Sequence, residues 1–258
     1  MATMLRLERQ GPLAILTLDR PPANALDRDF FVELCGATLP ALAASDVHAV
    51  VVTGTGRFFS AGLDLFEILT YRGAEASAFM ARFDDGFTGL FALEKPVVAA
   101  VNGHAIAGGA VLAATADFRL AAQGDSRIGL TEIQVGVPFP TSALEVVRFS
   151  CAGPFLPELL FHGRTYPPEE ACARRLVDEV VPAADLLPRA LALARELAAR
   201  SLASFAASKR ALRADGLARI AAARASGEDP IWAVWRAPET RAAIEAFAAR
   251  TIGRRSRP

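Results

Sequence analysis

Phe58-Phe59-Ser60-Ala61-Gly62-Leu63-Asp64-Leu65 and, further along, Asn102-Gly103-His104-Ala105-Ile106-Ala107-Gly108-Gly109 share one pattern. Each follows a run of small and β-branched residues, Ala49-Val50-Val51-Val52-Thr53 in the first case and Val97-Val98-Ala99-Ala100-Val101 in the second. Such runs read as strands buried on both faces. Each then passes through small residues into a segment with helical character, so each presents bare backbone N–H groups at the start of a helix. Gly62, Gly108 and Gly109 have no Cβ and let the backbone approach a ligand carbonyl closely. Taken singly, either turn is an ordinary strand-to-helix connection. Taken together, they can hold one oxyanion between them.

The alternation of strand and helix extends outward from these turns. Residues 4–10 and 13–19 read as two strands joined across Gly11-Pro12, and Asp27 is placed to cap a helix running to about Leu42. Strands follow at 48–53, 96–101 and 117–121, with amphipathic helical stretches at 74–93 and 109–116 between them. This order requires an α/β architecture. From Pro182 onward the periodicity is helical only, over 183–200, 204–225 and 238–250, broken at Ser201-Leu202 and at Ser226-Gly227-Glu228-Asp229-Pro230.

Composition narrows the function. The chain has 258 residues, 52% hydrophobic, with 28 basic and 28 acidic side chains. A net charge of zero argues against a nucleic-acid footprint, and the only basic run, Arg254-Arg255-Ser256-Arg257, reads as a solvated tail. Cys35, Cys151 and Cys172 are odd in number and widely spaced, so they form neither a disulfide framework nor a metal pair. The first residues carry no signal-peptide core, and no apolar run approaches the roughly eighteen residues needed to span a bilayer. A cytoplasmic enzyme is expected. Lys95 and Lys209 are the only lysines; Lys209 reads as solvated or phosphate-facing, and Lys95 stands at a strand entrance. Gly54-Thr55-Gly56 lacks the third glycine of a dinucleotide loop, and the three histidines show no nucleophile-elbow context. His104 reads as a scaffold residue and His162 as part of a loop.

The two glycine turns resemble the oxyanion signature of the crotonase, or enoyl-CoA hydratase/isomerase, superfamily. The resemblance continues through Ala113-Ala114-Thr115-Ala116-Asp117-Phe118-Arg119, Ile128-Gly129-Leu130-Thr131-Glu132-Ile133-Gln134-Val135-Gly136, Gly163-Arg164-Thr165-Tyr166 and Leu176-Val177-Asp178-Glu179-Val180-Val181. It implies a crotonase-like α/β fold: successive ββα units stacked into a right-handed superhelix, with a C-terminal helical region. By that reading residues 1–195 form the core and residues 196–258 a helical part that trimerises and covers the active site. It also implies a homotrimer or dimer of trimers, and an acyl-CoA substrate whose coenzyme A belongs to the thioester rather than to a separate cofactor.

Carried over residue by residue, the oxyanion donors fall on the backbone N–H groups of Leu63 and Gly108. Losing one such donor costs about 3 to 4 kcal/mol of barrier. Leucine at 63 is bulkier than the alanine common there and narrows the pocket beside the α carbon. Hydratases of the family use two glutamates; one position is matched by Glu132, while the other falls on Val111. A two-carboxylate hydration is therefore incomplete. A single glutamate in an apolar setting, with Val111, Ile106, Phe139 and Leu130 expected around it, resembles the single-glutamate enoyl-CoA isomerases, in which one base moves a proton from the α to the γ carbon. Asp64 is implied to be structural. Ala25, Leu26, Ala61, Gly62 and Leu65 are implied to border the coenzyme A portion, and Arg250 to meet its phosphates, although Ala242-Ala243 replaces the acidic-Gly element usual before Phe247. Trp232 and Trp235, at i and i+3, read as core or pocket wall. The alternatives are a hydratase, or another CoA-thioester lyase or hydrolase, and a CoA-binding subunit without catalysis.

Overall fold

The computed structural model describes residues 3–151, 153–225, 227, 229–251 and 253. The basic run at 254–257, and Ser226 and Glu228 of the expected helix break, lie outside the described residues. The chain opens with the antiparallel pair β1 (Leu5–Gln10) and β2 (Leu13–Leu18). Asp27 then caps α1 (Arg28–Glu33) by accepting from Phe30 N at 2.8 Å. A π-type turn over Leu34–Thr38 carries the same helix on into α2 (Leu39–Ala43). Then follow β3 (Ala49–Gly54), β4 (Phe58–Ser60), α3 (Leu65–Ile68) and α4 (Gly73–Ala92). The next unit is β5 (Val97–Val101), β6 (His104–Ile106) and α5 (Gly108–Ala114). After it come β7 (Phe118–Ala122), β8 (Ile128–Gly129), α6 (Glu132–Val135), α7 (Thr141–Ser150) and α8 (Leu156–His162).

The core closes with β9 (Thr165–Tyr166), α9 (Pro168–Ala173) and β10 (Glu179–Val181). Four helices follow: α10 (Leu186–Ala198), α11 (Leu202–Arg224), α12 (Ile231–Arg236) and α13 (Pro238–Thr251). The short helix α12 is absent from the periodicity, and His162, expected in a loop, closes α8 instead, with Gly163 turning the chain at φ +61°.

The strands sort into two sheets. The six-stranded sheet runs β1-β2-β3-β5-β7-β10, parallel from β2 onward, and the smaller one runs β4-β6-β8-β9. Successive units send one strand to each sheet, which is the repeated ββα superhelix of the crotonase fold. Alternation along the strands explains why both faces of the large sheet are dry. Leu16, Val50, Val52 and Ala99 face the main core with α1, α4, α5 and α7, while Ile15, Val51, Val98 and Leu120 face Leu186, Ala190, Leu191 and Ala194 of α10.

The C-terminal helices do not share one task. Although the resemblance implied that the helical tail packs on the acyl-CoA site and a trimer interface, α10 buries its stripe on the six-stranded sheet. Next, α11 crosses α4 and α7, and α12 with α13 returns to α3 and α6. Residue 195, the expected end of the core, falls inside α10. Lys209 is not solvated: it is buried in α11, donating to Asp117 at 2.7 Å and to Lys95 O at 2.8 Å.

Candidate active site

Both glycine turns are held by neighbours that leave one N–H of each unused. In the first, Leu26 N donates to Gly62 O at 2.8 Å and Asp64 N donates to Leu26 O at 2.9 Å, so Leu26 pairs with the residues on either side of Leu63. Strand geometry then turns the Leu63 N–H away from Leu26. Gly62 takes φ +80°, and a Cβ there would stand 2.7 Å from Ile106 O and 3.0 Å from Gly108 N, so only glycine lets the two turns meet. Asp64 caps α3, and Arg20 ties the turn down, its Nη2 lying 3.1 Å from Asp64 and 2.8 Å from Asp27.

The second turn is tighter. Ala107 sits at φ +49°, ψ −123°, a conformation costly for a residue with a Cβ, held by donation from its N–H to Gly129 O at 2.8 Å. Its carbonyl accepts from Val111 N at 3.0 Å, and α5 begins at Gly108, whose N–H has no partner within the helix. A Cβ at Gly109 would stand 2.1 Å from Ser60 O; the glycine there lets β4 and α5 pack backbone to backbone. No described residue accepts from Leu63 N or Gly108 N.

These N–H groups open on a cavity of about 500 Å³ whose wall includes Leu63, Ile106, Gly108, Val111, Glu132 and Trp235. Ala25, Ala61 and Leu65 also line it. Leu26 and Gly62 stand behind the wall as its backbone support. Arg250 is exposed on α13 with its guanidinium 5.6 Å from the ring of Phe247, and it is Phe247 and Thr251 that reach the cavity. Leu130 and Phe139, expected in the pocket, do not line it; Phe66, Phe83, Val135 and Val137 supply its apolar surface instead. Val135 belongs to the family segment around Glu132, whereas no motif marks Phe66, Phe83 and Val137. Phe83 lies on the buried stripe of α4, and that stripe is the one trace of them that the sequence carries.

Two carboxylates line the cavity, in different states. Asp64 is occupied by its cap and by Arg20. Glu132, at the first turn of α6, is buried, and its Oε2 has no hydrogen-bond partner among the described residues. Burial raises its pKa from 4.5 to about 8, because the ionised form loses hydration without gaining a countercharge. A carboxyl of that kind can exchange a proton near neutrality. Val111, 1% exposed on α5, offers no acid–base group. Trp235 donates from Nε1 to Pro138 O at 2.9 Å and presents its ring as wall; Trp232 donates to Asp84 at 3.0 Å inside the core. His104 is scaffold: its Nδ1 accepts from Arg127 N at 3.0 Å, and burial, with Arg57 and Arg127 nearby, lowers its pKa. Among the described residues no cluster of His, Cys, Asp or Glu is placed to hold a metal, and no helix is long and apolar enough to cross a membrane.

Comparison with known proteins identifies the family. The sequence pattern of the enoyl-CoA hydratase/isomerase family matches residues 8–250. A probable enoyl-CoA hydratase of Mycolicibacterium paratuberculosis is 35% identical over 247 residues, 93% of this chain and 89% of that protein. A carnitinyl-CoA dehydratase of Salmonella agona is 38% identical over 220 residues, 83% of this chain and 82% of that protein. The crystal structure of human mitochondrial delta3-delta2-enoyl-CoA isomerase superimposes with a TM-score of 0.91, covering 96% of this chain and 98% of that one, at 24% identity. With two abutting N–H turns over one apolar cavity and a match along nearly its whole length, the chain belongs to the enoyl-CoA hydratase/isomerase, or crotonase, superfamily.

Proposed function

We propose that the protein is an enoyl-CoA isomerase that converts a 3-enoyl-CoA into the 2-enoyl-CoA. The thioester carbonyl oxygen accepts from the N–H groups of Leu63 and Gly108, and the Glu132 carboxylate removes a proton from the α carbon. The electron pair left behind spreads into the carbonyl, and the two donors stabilise the resulting dienolate, each worth about 3 to 4 kcal/mol of barrier. The carboxylic acid of Glu132 then returns the same proton to the γ carbon, which regenerates the base and leaves the double bond in conjugation. One observation carries the reading: among the described residues that line the cavity, Glu132 is the one carboxylate not engaged by a helix cap or an ion pair, while the resemblance puts the hydratases' second glutamate at Val111. Ala25, Ala61 and Leu65 border the thioester's coenzyme A portion, with Leu26 and Gly62 shaping that border from behind and Arg250 close to the phosphates. A homotrimer or dimer of trimers in the cytoplasm, with α11–α13 as its covering and assembling part, belongs to the same reading.

A second reading, hydration or dehydration, is favoured by the names of the two relatives. A panel of 2-enoyl, 3-enoyl and malonyl-type thioesters, followed by mass spectrometry and ultraviolet absorbance, separates the two. Isomerisation predicts turnover of the 3-enoyl substrate without mass change. Water addition to the 2-enoyl substrate as the faster reaction would overturn it, and a binding subunit would yield no product at all. Glu132→Gln is expected to lower isomerase turnover by about 10²- to 10⁴-fold while acyl-CoA binding persists; unchanged turnover would remove Glu132 from the mechanism.

A further inference from the structure

A second cavity, of about 260 Å³, lies between α3, α4, α12 and α13. Ile68, Ala76, Phe79, Met80, Trp232 and Ile244 make its wall apolar, and Trp235 is shared with the first cavity. Three arginines, Arg72, Arg236 and Arg241, also line it. Arg236 is engaged, donating to Met80 Sδ at 3.3 Å among its contacts. Arg72 and Arg241 are arranged differently: Arg72 Nη1 and Arg241 Nη2 both donate to Leu69 O, each at 2.6 Å. Two guanidinium groups thus converge on one carbonyl oxygen.

Neither has a carboxylate within ion-pair distance among the described residues. Glu75 is taken by Arg28 at 3.1 Å, and Glu67 accepts from the Tyr71 hydroxyl. Glu245, one turn along α13, attracts Arg241 only from beyond contact. Burial, and then the like charge of Arg72, disfavour the charged form of Arg241. Each guanidinium carries five N–H donors, and the two carbonyls they reach, Leu69 O and Tyr71 O, use few of them. A pair of like charges beside a dry wall is stabilised by an anion that accepts from both and places hydrocarbon against that wall.

We propose that this cavity is a second ligand site, for a short hydrocarbon chain ending in a carboxylate, with the chain against Phe79, Met80 and Ile244 and the carboxylate between Arg72 and Arg241. The carboxylate is supplied either by a free acid or by the far end of an acyl group whose thioester occupies the first cavity.

Calorimetry on the whole chain, without turnover, tests this apart from the isomerase reading. The titrants are hexanoate, hexanol, hexanoyl-CoA and adipyl-CoA; the variants are Arg72→Gln with Arg241→Gln, and Ala76→Phe, which fills the cavity. Hexanoate binding that hexanol does not share, weakened about tenfold or more in both variants, establishes the site for a free acid. An advantage of adipyl-CoA over hexanoyl-CoA of about tenfold, lost in both variants, establishes it for a distal carboxylate. Equal binding of hexanol and hexanoate without an adipyl-CoA advantage, affinities that do not respond to the arginine variant, or no binding in either series overturns the proposal. Turnover of 3-hexenoyl-CoA by the arginine variant is expected to match the parent, so a failed isomerase assay leaves the binding result intact.

Discussion

Burial strips the Glu132 carboxylate of most of its hydration, and two dependences on pH follow from that one residue. As a base it must be ionised, so kcat/KM for a 3-enoyl thioester is expected to rise through about pH 8, where its pKa lies. Stability runs the other way. Between the ordinary 4.5 and about 8 the unfolded chain has released the proton while the native state keeps it, so stability falls as pH rises across that window. Glu132→Gln has no such proton to lose; its Tm relative to the parent should climb between pH 5 and pH 8, and a constant difference would show that the carboxyl titrates normally. The sequence disclosed this glutamate through the family segment around it. It did not disclose the lone Oε2, because Phe83, Trp235 and Phe247 of the surrounding cavity wall come from α4, α12 and α13 and share no motif with it.

At the scale of the element, the two glycines that open α5 make different demands. A methyl group at Gly108 would meet nothing closer than 3.5 Å, yet it would stand 3.7 Å from Leu63 N, beside the proposed oxyanion position. Gly108→Ala should therefore fold as well as the parent, or gain about 0.4–1 kcal/mol through its stiffer unfolded chain, and still lose turnover. Gly109→Ala places its methyl 2.1 Å from Ser60 O, so β4 and α5 must part; thermal melts should show a clear loss of stability along with activity. Equal Tm values for the two variants would refute the distinction. Strands and long helices were legible because their periodicity is local. The six-residue α12, held by Trp232 and Trp235 against distant groups, was not, and the π-type turn inside the first helix left no mark in its pattern.

For the molecule as a whole, the decisive joint is where α11 crosses the end of the large sheet. Asp117, just before β7, accepts from Lys209 and from Arg213 at 2.7 Å each, and from Val97 N at 2.8 Å. Arg213 also lies over the rings of Phe91 and Phe149, at 4.3 and 5.0 Å. Removing the charge of Asp117 leaves two buried cations without a counterion, so Asp117→Asn is expected to cost about 3–5 kcal/mol in denaturant unfolding. A change under 1 kcal/mol, roughly the value of an exposed pair, would show that water reaches the joint. This joint was misread in the sequence for a physical reason: the buried stripe of α11 is Lys209, Arg213 and Ile220, so its inward face has the chemistry of a solvated one, and its partner is 92 residues away.

The wall of the first cavity begins at Ala23 and ends at Thr251. During synthesis the two glycine turns and Glu132 leave the ribosome before Trp235, Phe247 and Thr251. A chain that stops short of residue 231 would lack the part of the cavity wall that Trp235, Phe247 and Thr251 supply. The wall of the first cavity is thus completed only when the last helix, α13, has been made.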